Sequence, residues 1–372
     1  MRFPEFSGEW EIHKLSEYLD FKNGLNPDAK RFGRGLPFIS VMDILADRVI
    51  CYDNIRAKVE ATDKEIECFG VNKGDLLFQR SSETFEDVGR ASVYMDNRTA
   101  IYGGFVIRGR KIGNYDPLFF KYLLATPLAR KRTCRMGAGA QHFNIGQEGL
   151  SKISLHFPSI EEQSKIANLF SLIDERVETQ KKIIEKCESL IRGLYHSVFN
   201  NPSSILQLRE VVSIVKGKQV NGEELLEEGK YYVMNGGTEP SGYLDEYNTP
   251  ANTISISEGG NSCGYVQYNT EPFWSGGHCY SLHQKDEGVN YSYLYHFLKY
   301  KERDIMALRI GSGLPNVQKK DLERFEVRVL PIEQQDRVAE ILEDISAKCD
   351  LEKKILQEWQ WQKSFLLSNL FI

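Results

Sequence analysis

The chain has 372 residues, 41% hydrophobic and 27% charged, with a formal net charge of −5. Thirty glycines and twelve prolines exclude a collagen-like or Pro-rich disordered chain, and the length suits two or three domains. No apolar run approaches the roughly 18 residues of a membrane span. Met1-Arg2-Phe3-Pro4-Glu5-Phe6 lacks an apolar leader core, and the seven cysteines, with no close CxxC pair, read as reduced thiols of a cytosolic protein.

In chain order, Gly74-Asp75-Leu76-Leu77-Phe78 predicts a short buried strand bounded by turn residues. Gly103-Gly104, and later Gly236-Gly237, Gly259-Gly260 and Gly276-Gly277, mark tight turns or close backbone approaches. Residues 115–128 read as a helix whose aromatics belong to a core rather than to a base-stacking platform. Ser159-Ile160-Glu161-Glu162 fits a capping box, with Ser159 accepting from the N–H of residue 162 and Glu162 reaching back. Beyond it, Ile166, Phe170, Ile173, Val177, Gln180, Ile184, Cys187, Ile191, Leu194 and Val198 repeat with a 3.5-residue period, the seam of a coiled coil. Asn201-Pro202 stops that helix. Thr253-Ile254-Ser255-Ile256 predicts a second buried strand and residues 291–300 a second aromatic helix. Pro331 suits the first position of another long helix. Its seam would hold Val338, Leu342, Ile345, Cys349, Leu356, Trp359, Leu366 and Leu370, with Glu352 and Lys363 breaking the stripe. Each long helix should run about 35–40 residues, roughly 50–60 Å.

The chain repeats itself. An offset of 172 residues pairs Asn144, Leu150, Ile160, Gln163 and Ala167 with Asn316, Leu322, Ile332, Gln335 and Ala339, and continues to Phe199 and Phe371. Gly137-Ala138-Gly139 and Gly311-Ser312-Gly313 fall two residues out of this register. The starts of the halves match more faintly, as Leu15…Gly24 against Leu208…Gly217. Duplication that kept its connectors and diverged in its globular parts would leave this pattern.

Two basic zones stand out against the acidic total. Arg108, Arg110, Lys111, Lys121, Arg130, Lys131, Arg132, Arg135 and Lys152 meet only Asp116 and Glu148. Lys299, Lys301, Arg303, Arg309, Lys319 and Lys320 meet Glu302 and Asp304. Such zones attract a polyanion or are simply solvated faces. Common catalytic signatures are missing together: GxxxxGK[ST], GxGxxG after a strand, HExxH and Asn-Pro-Pro-aromatic. Cys263, His278, Cys279 and His283 carry zinc-ligand chemistry, but neighbouring residues of a strand face opposite sides, so a buried thiol beside an ordinary histidine is the plainer reading.

The residues Arg2-Phe3-Pro4-Glu5-Phe6…Glu9-Trp10, Gly139-Ala140-Gln141-His142-Phe143-Asn144-Ile145, Pro158-Ser159-Ile160-Glu161-Glu162-Gln163 and Pro331-Ile332-Glu333-Gln334-Gln335 resemble the specificity (S) subunit of a type I DNA restriction-modification system. The resemblance spans essentially the whole chain. Leu314-Pro315-Asn316 in the second copy departs from the first, which puts equivalent DNA contacts by the two loops in doubt.

The resemblance implies an α/β (α+β) fold with a pseudo-two-fold internal repeat. Two target recognition domains, residues 1–157 and 201–329, would be separated by two long antiparallel coiled-coil helices, residues 158–200 and 330–372. It implies a chain without catalysis or cofactor of its own, acting in the cytoplasm on double-stranded DNA. Two methyltransferase (M) subunits using S-adenosylmethionine, and restriction (R) subunits using ATP and Mg, would do the chemistry at a split target with a fixed gap. A coiled-coil scaffold that binds only proteins is the alternative. Because duplex DNA has a backbone dyad, pseudo-two-fold domains of unlike sequence suit two unlike half-sites.

On this reading Arg130, Lys131, Arg132, Arg135, Lys319 and Lys320 are candidates for phosphate contact. Base reading requires paired donors and acceptors, Arg on guanine and Asn or Gln on adenine. The candidates are Arg80, Ser81, Ser82, Arg90, Gln141, His142 and Asn144 in the first half, and Asn235, Thr238, Glu258, Asn261, Ser262, His278 and Asn316 in the second. Each would otherwise be a turn-capping or surface group.

Overall fold

A computed structural model describes residues 2–46, 48–139, 142–200, 204–311, 313 and 315–371. Gln141 and the Asn201-Pro202 helix stop therefore lie outside the described residues. The chain forms two compact units, Met1–Lys181 with Lys354–Ile372, and Lys182–Lys353. The division cuts through both long helices, so each unit holds one end of each.

The first unit is built on a four-stranded antiparallel sheet in the order Leu19–Asn23, Val106–Lys111, Leu76–Gln79, Ala91–Val93. Leu76 and Phe78 enter one core, with Trp10, Phe119 and Phe120, while Leu77 enters another, with Ile39, Tyr94 and Tyr102. A strand covered on both faces reads as a continuous apolar run. The second unit repeats the sheet as Val212–Lys216, Cys279–Gln284, Thr253–Ser257, Val266–Asn269. A two-stranded ribbon closes each unit, Glu11–Lys14 with Ser154–Phe157 and Ser204–Gln207 with Glu326–Val329.

The faint match at the starts of the halves has a steric cause. A Cβ on Gly24 would lie 2.1 Å from the carbonyl oxygen of Gly103, and one on Gly217 would lie 2.2 Å from that of Gly276. No side chain fits where these backbones pass.

The predicted helix over 115–128 is two helices, Pro117–Ala125 and Pro127–Cys134. Pro127 keeps Thr126 out of the helical region, at φ −65 and ψ 150, so Thr126 ends one helix and caps the next. Asp116 caps the first by accepting from Leu118 and Phe119 N–H at 2.9 and 3.0 Å. Tyr115, Phe119 and Phe120 are core, as expected. The second aromatic helix is Tyr291–Tyr300, capped by Asn290 on Tyr293 N–H at 2.9 Å.

The long helices are Ile160–Phe199, 40 residues, and Ile332–Asn369, 38 residues. Half of the capping box forms: Glu162 N–H donates to Ser159 Oγ at 3.4 Å. The Glu162 carboxylate instead takes two hydrogen bonds from the Arg2 guanidinium, at 2.8 and 2.7 Å. A bidentate charge-assisted pair outweighs a single backbone bond. Pro331 stands just before its helix, where its carbonyl accepts from Gln334 and Gln335 N–H. The duplicated glutamine has one task in both units. Gln163 Nε2 donates to Pro158 O and its Oε1 accepts from Asp116 N–H, while Gln335 does the same with Leu330 O and Asn290 N–H. It ties each long helix to the cap of its aromatic helix.

The predicted seam is the covered face. In the first unit Ile166, Phe170, Ile173 and Val177 are buried, and Phe170 meets Phe371 at 5.7 Å between ring centres while Asp174 pairs with Lys363 at 2.7 Å. Rising numbers on one helix meet falling numbers on the other, so the ends run antiparallel. The break in the stripe at Lys363 is thus an ion pair. In the second unit Phe199 shares a core with Val338, Ala339 and Leu342, while Glu188 pairs with Lys353 at 3.2 Å, again antiparallel.

Candidate nucleic-acid interface

At one end of each central sheet, three loops converge on the residue that follows the inner strand. In the first unit that residue is Arg80. Its N–H donates to Phe105 O, its carbonyl accepts from Ile145 N–H, and both bonds are 2.9 Å. In the second unit it is Glu258, whose N–H donates to His278 O and whose carbonyl accepts from Val317 N–H, both at 2.8 Å. The match makes Arg80 the counterpart of Glu258 and Phe105 that of His278.

The glycine-rich loops close the rim. Ala138 and Asn144 exchange both backbone bonds, as do Ile310 and Asn316. This corrects the two-residue slip read from the glycines: Gly139 and Gly311, with φ of 138 and 98, hold the constant 172-residue offset. Both need the left-handed region that glycine enters freely.

In the first unit the fold brings Arg80, Ser81, Ser82, His142 and Asn144 together. Ser81 pairs with Asn144 and Ser82 with Phe143, the Ser81 hydroxyl donates to Asn144 Oδ1, and Asn144 Nδ2 donates to His142 O at 3.3 Å. Arg90 is turned elsewhere. It pairs with Asp87 at 3.1 Å and lines a cavity of about 250 Å³ with Lys121, Arg130 and Lys363.

In the second unit Asn235, Glu258, His278 and Asn316 converge. Asn235 Oδ1 accepts from His278 N–H at 3.0 Å, and Gly259 bridges Asn316. Asn261 and Ser262 occupy the turn after Glu258, and Thr238 is exposed just beyond Gly237. The Glu258 carboxylate is nearly buried and engaged, accepting from Lys216 Nζ at 2.7 Å and Tyr280 OH at 2.9 Å. His278 Nδ1 lies 3.8 Å from it.

The basic zones divide into structural and exposed charge. Arg130 donates to the carbonyls of Glu86 and Val88 at 2.8 and 2.7 Å, and burial pulls its guanidinium below the usual arginine value. Arg132 donates to Ser154 O. Arg108 is buried against Gly70 O, and Lys121 faces Asp174. Lys131 and Arg135 are exposed, and no carboxylate is in ion-pair contact with either among the described residues. Lys319 faces Glu323 at 3.7 Å, and Lys320 is exposed.

Sequence reasoning passed over Asn26 and Gln219, whose side-chain amides lie where a Cβ on Gly104 or Gly277 would stand. Both sit two residues after the sterically required Gly24 and Gly217, and that common spacing was the available signal. It also passed over Met42 and Phe105, which are among the exposed apolar side chains. Among the described residues no group of three or more His, Cys, Asp or Glu is placed to hold a metal. The Cys279 thiol is pushed up to about 11 by burial. Among the described residues no helix is long and apolar enough to cross a membrane.

The chain matches the family described as the type I restriction modification DNA specificity domain twice, over residues 7–189 and 201–359. A Mycoplasma genitalium protein assigned as a type I specificity subunit is 28% identical over 69% of this chain and 72% of its own length. A Methanocaldococcus jannaschii protein assigned as the MjaX specificity subunit is 21% identical over 98% of this chain and 93% of its own. Among solved structures, an S subunit from M. genitalium superposes with a TM-score of 0.76 at 20% identity, covering 100% of this chain and 99% of that one. A chain from a study of complex assembly in the type I system reaches 0.54 at 14% identity, covering 98% and 97%. With a family copy in each half, the chain belongs to the type I restriction-modification DNA specificity subunits.

Proposed function

We propose that this chain reads a bipartite, asymmetric DNA target, one half with each unit, and does no chemistry itself. It directs adenine methylation and cleavage by partner subunits, two methyltransferase and the restriction subunits, in the cytoplasm. S-adenosylmethionine, ATP and Mg are used by those partners. One observation carries the reading: the two loop rims share a backbone frame yet present different side chains, exposed Phe105 against exposed His278, with Arg80 beside the one and the engaged Glu258 beside the other. Equivalent frames suit equivalent approaches to a duplex, and different side chains suit different base edges.

The number of residues in the long helices sets the gap. Inserting one heptad into each adds about 10 Å at 1.5 Å per residue, roughly three base pairs. Methylome sequencing of a host with and without the gene tests both points. A split methyladenine motif should appear only with the gene, and the insertion should widen its gap while leaving both halves unchanged. Changed halves with an unchanged gap would contradict the role of the helices. Absence of binding to a mixed DNA pool at low salt would favour a protein scaffold instead.

A further inference from the structure

Beside Arg80, the rim of the first unit carries an apolar feature that its polar readers do not explain. Phe105 is 68% exposed and Met42 74%. With Phe32, which meets Phe38 edge-on at 5.2 Å, they border a pocket of about 370 Å³ that also takes in Leu25 and Pro27. Large apolar side chains held in water on one rim mark a contact surface.

The frame does not require them. Gly103 N–H donates to Ile39 O at 3.0 Å, and Gly276 N–H donates to Met234 O at 2.8 Å, so Ile39 and Met234 correspond. Beyond them the two units part: Met42 sits on the short helix Val41–Leu45, whereas residues 235–239 are bends, and Phe105 answers to His278. The frame forms with histidine in the place of Phe105, and Met42 stands exposed on its short helix outside either core, so the apolar pair belongs to what the first unit touches.

The surroundings indicate what that is. Arg80 donates its N–H to Phe105 O, and its guanidinium reaches Gly104 O at 3.4 Å. The exposed amide of Asn26 also lines the pocket. An apolar notch beside groups of this kind matches a base edge that carries one apolar group next to a hydrogen-bonding atom. In the major groove only thymine offers that, through its 5-methyl group.

We propose that Met42 and Phe105 make the first unit select thymine by enclosing its 5-methyl group. The inference rests on the loop rim being the DNA-contacting face. In the second unit His278 stands in the place of Phe105 and bends at 235–239 follow where the first unit has the Met42 helix, so thymine methyls in the other half-site go unread there.

The test uses the full chain and random-sequence duplexes, selected in parallel from a thymidine pool and a deoxyuridine pool. Arg80→Ala identifies which enriched half belongs to the first unit. That half should contain at least one A·T pair whose change to A·U weakens binding about fourfold per enclosed methyl. Met42→Ala or Phe105→Ala should remove the difference between the two duplexes. Phe105→His, which copies the second unit's residue, should do the same, and retained reading of the other half reports that each variant is folded. Equal affinity for the thymine and uracil duplexes, or a first half without A·T, overturns the inference and leaves the pair as a surface for an apolar partner. Enrichment from neither pool overturns the DNA-reading assignment itself and the inference with it.

Discussion

The two units share a frame and differ at its edge. Both carry the same four-strand order, the same ribbon and the same glutamine clamp at the start of a long helix. At the rim the counterparts are unlike, Arg80 and Glu258, Phe105 and His278, and the segment that carries Met42 is a helix in the first unit where the second has bends. The shared parts are those where sterics or buried hydrogen bonds leave one solution. Of the divergent parts, Phe105 and His278 face solvent, where residues are free to follow a partner, while Glu258 is held by Lys216 and Tyr280. On the proposed reading, that separation lets one half of the target change without the loss of either fold.

The strongest way to break the comparison is to place a side chain where the frames forbid one. Gly24→Ala and Gly217→Ala should each destabilise their own unit by about 3 kcal/mol, because the opposing contacts are backbone and cannot rotate away. Gly146→Ala, with open space at its Cβ, is the control. Urea unfolding reads all three, and a harmless Gly24→Ala would dissolve the equivalence.

A second difference lies where the aromatic helices meet the first long helix. Counted from their caps Asp116 and Asn290, Tyr122 in the first unit answers to His296 in the second. Tyr122 stacks on Phe170 and donates to Asp174 at 2.8 Å. The His296 ring, held at 3.0 Å from Tyr195 OH, is pulled down to about 4 by burial. The folded value lies below the unfolded one, so the unfolded chain binds the proton more readily. Stability is then full above about pH 6.5 and falls as pH drops toward 4, by about 2 kcal/mol at pH 5. Denaturation across this range should show the loss in the second unit, and His296→Gln should flatten it. An unchanged slope in the variant would remove His296 as its source.

The smallest effects sharpen the sorting of the basic residues. Lys131→Ala and Arg135→Ala should each lower the salt dependence of DNA binding by about one in slope while leaving stability nearly unchanged. Arg130→Ala and Arg132→Ala should do the reverse, since their guanidinium groups are spent on carbonyls within the unit. Equal salt slopes for all four would erase the distinction.

These residues also show how far sequence alone reaches. The long helices, their covered seam and the 172-residue repeat were legible because periodicity and offset are local or arithmetic properties of a string. The split at Pro127 was legible too, had the restriction on Thr126 been weighed against the aromatic pattern. The fate of Arg130 was not, because Glu86 and Val88 meet it only after folding. The equivalence of Arg80 with Glu258 was hidden for the same reason: the two share hydrogen-bond partners, not chemistry. Position in the repeat found the frame, while the rim had to be seen folded.

The central claim is that each unit reads its own half of one split target. Methylome mapping of a host carrying Arg80→Ala, and separately Asn235→Ala, tests it most directly. The account predicts a relaxed base position in one half of the motif for the first variant and in the opposite half for the second, with the gap unchanged. Relaxation of the same half by both variants, or a single uninterrupted motif, would contradict it.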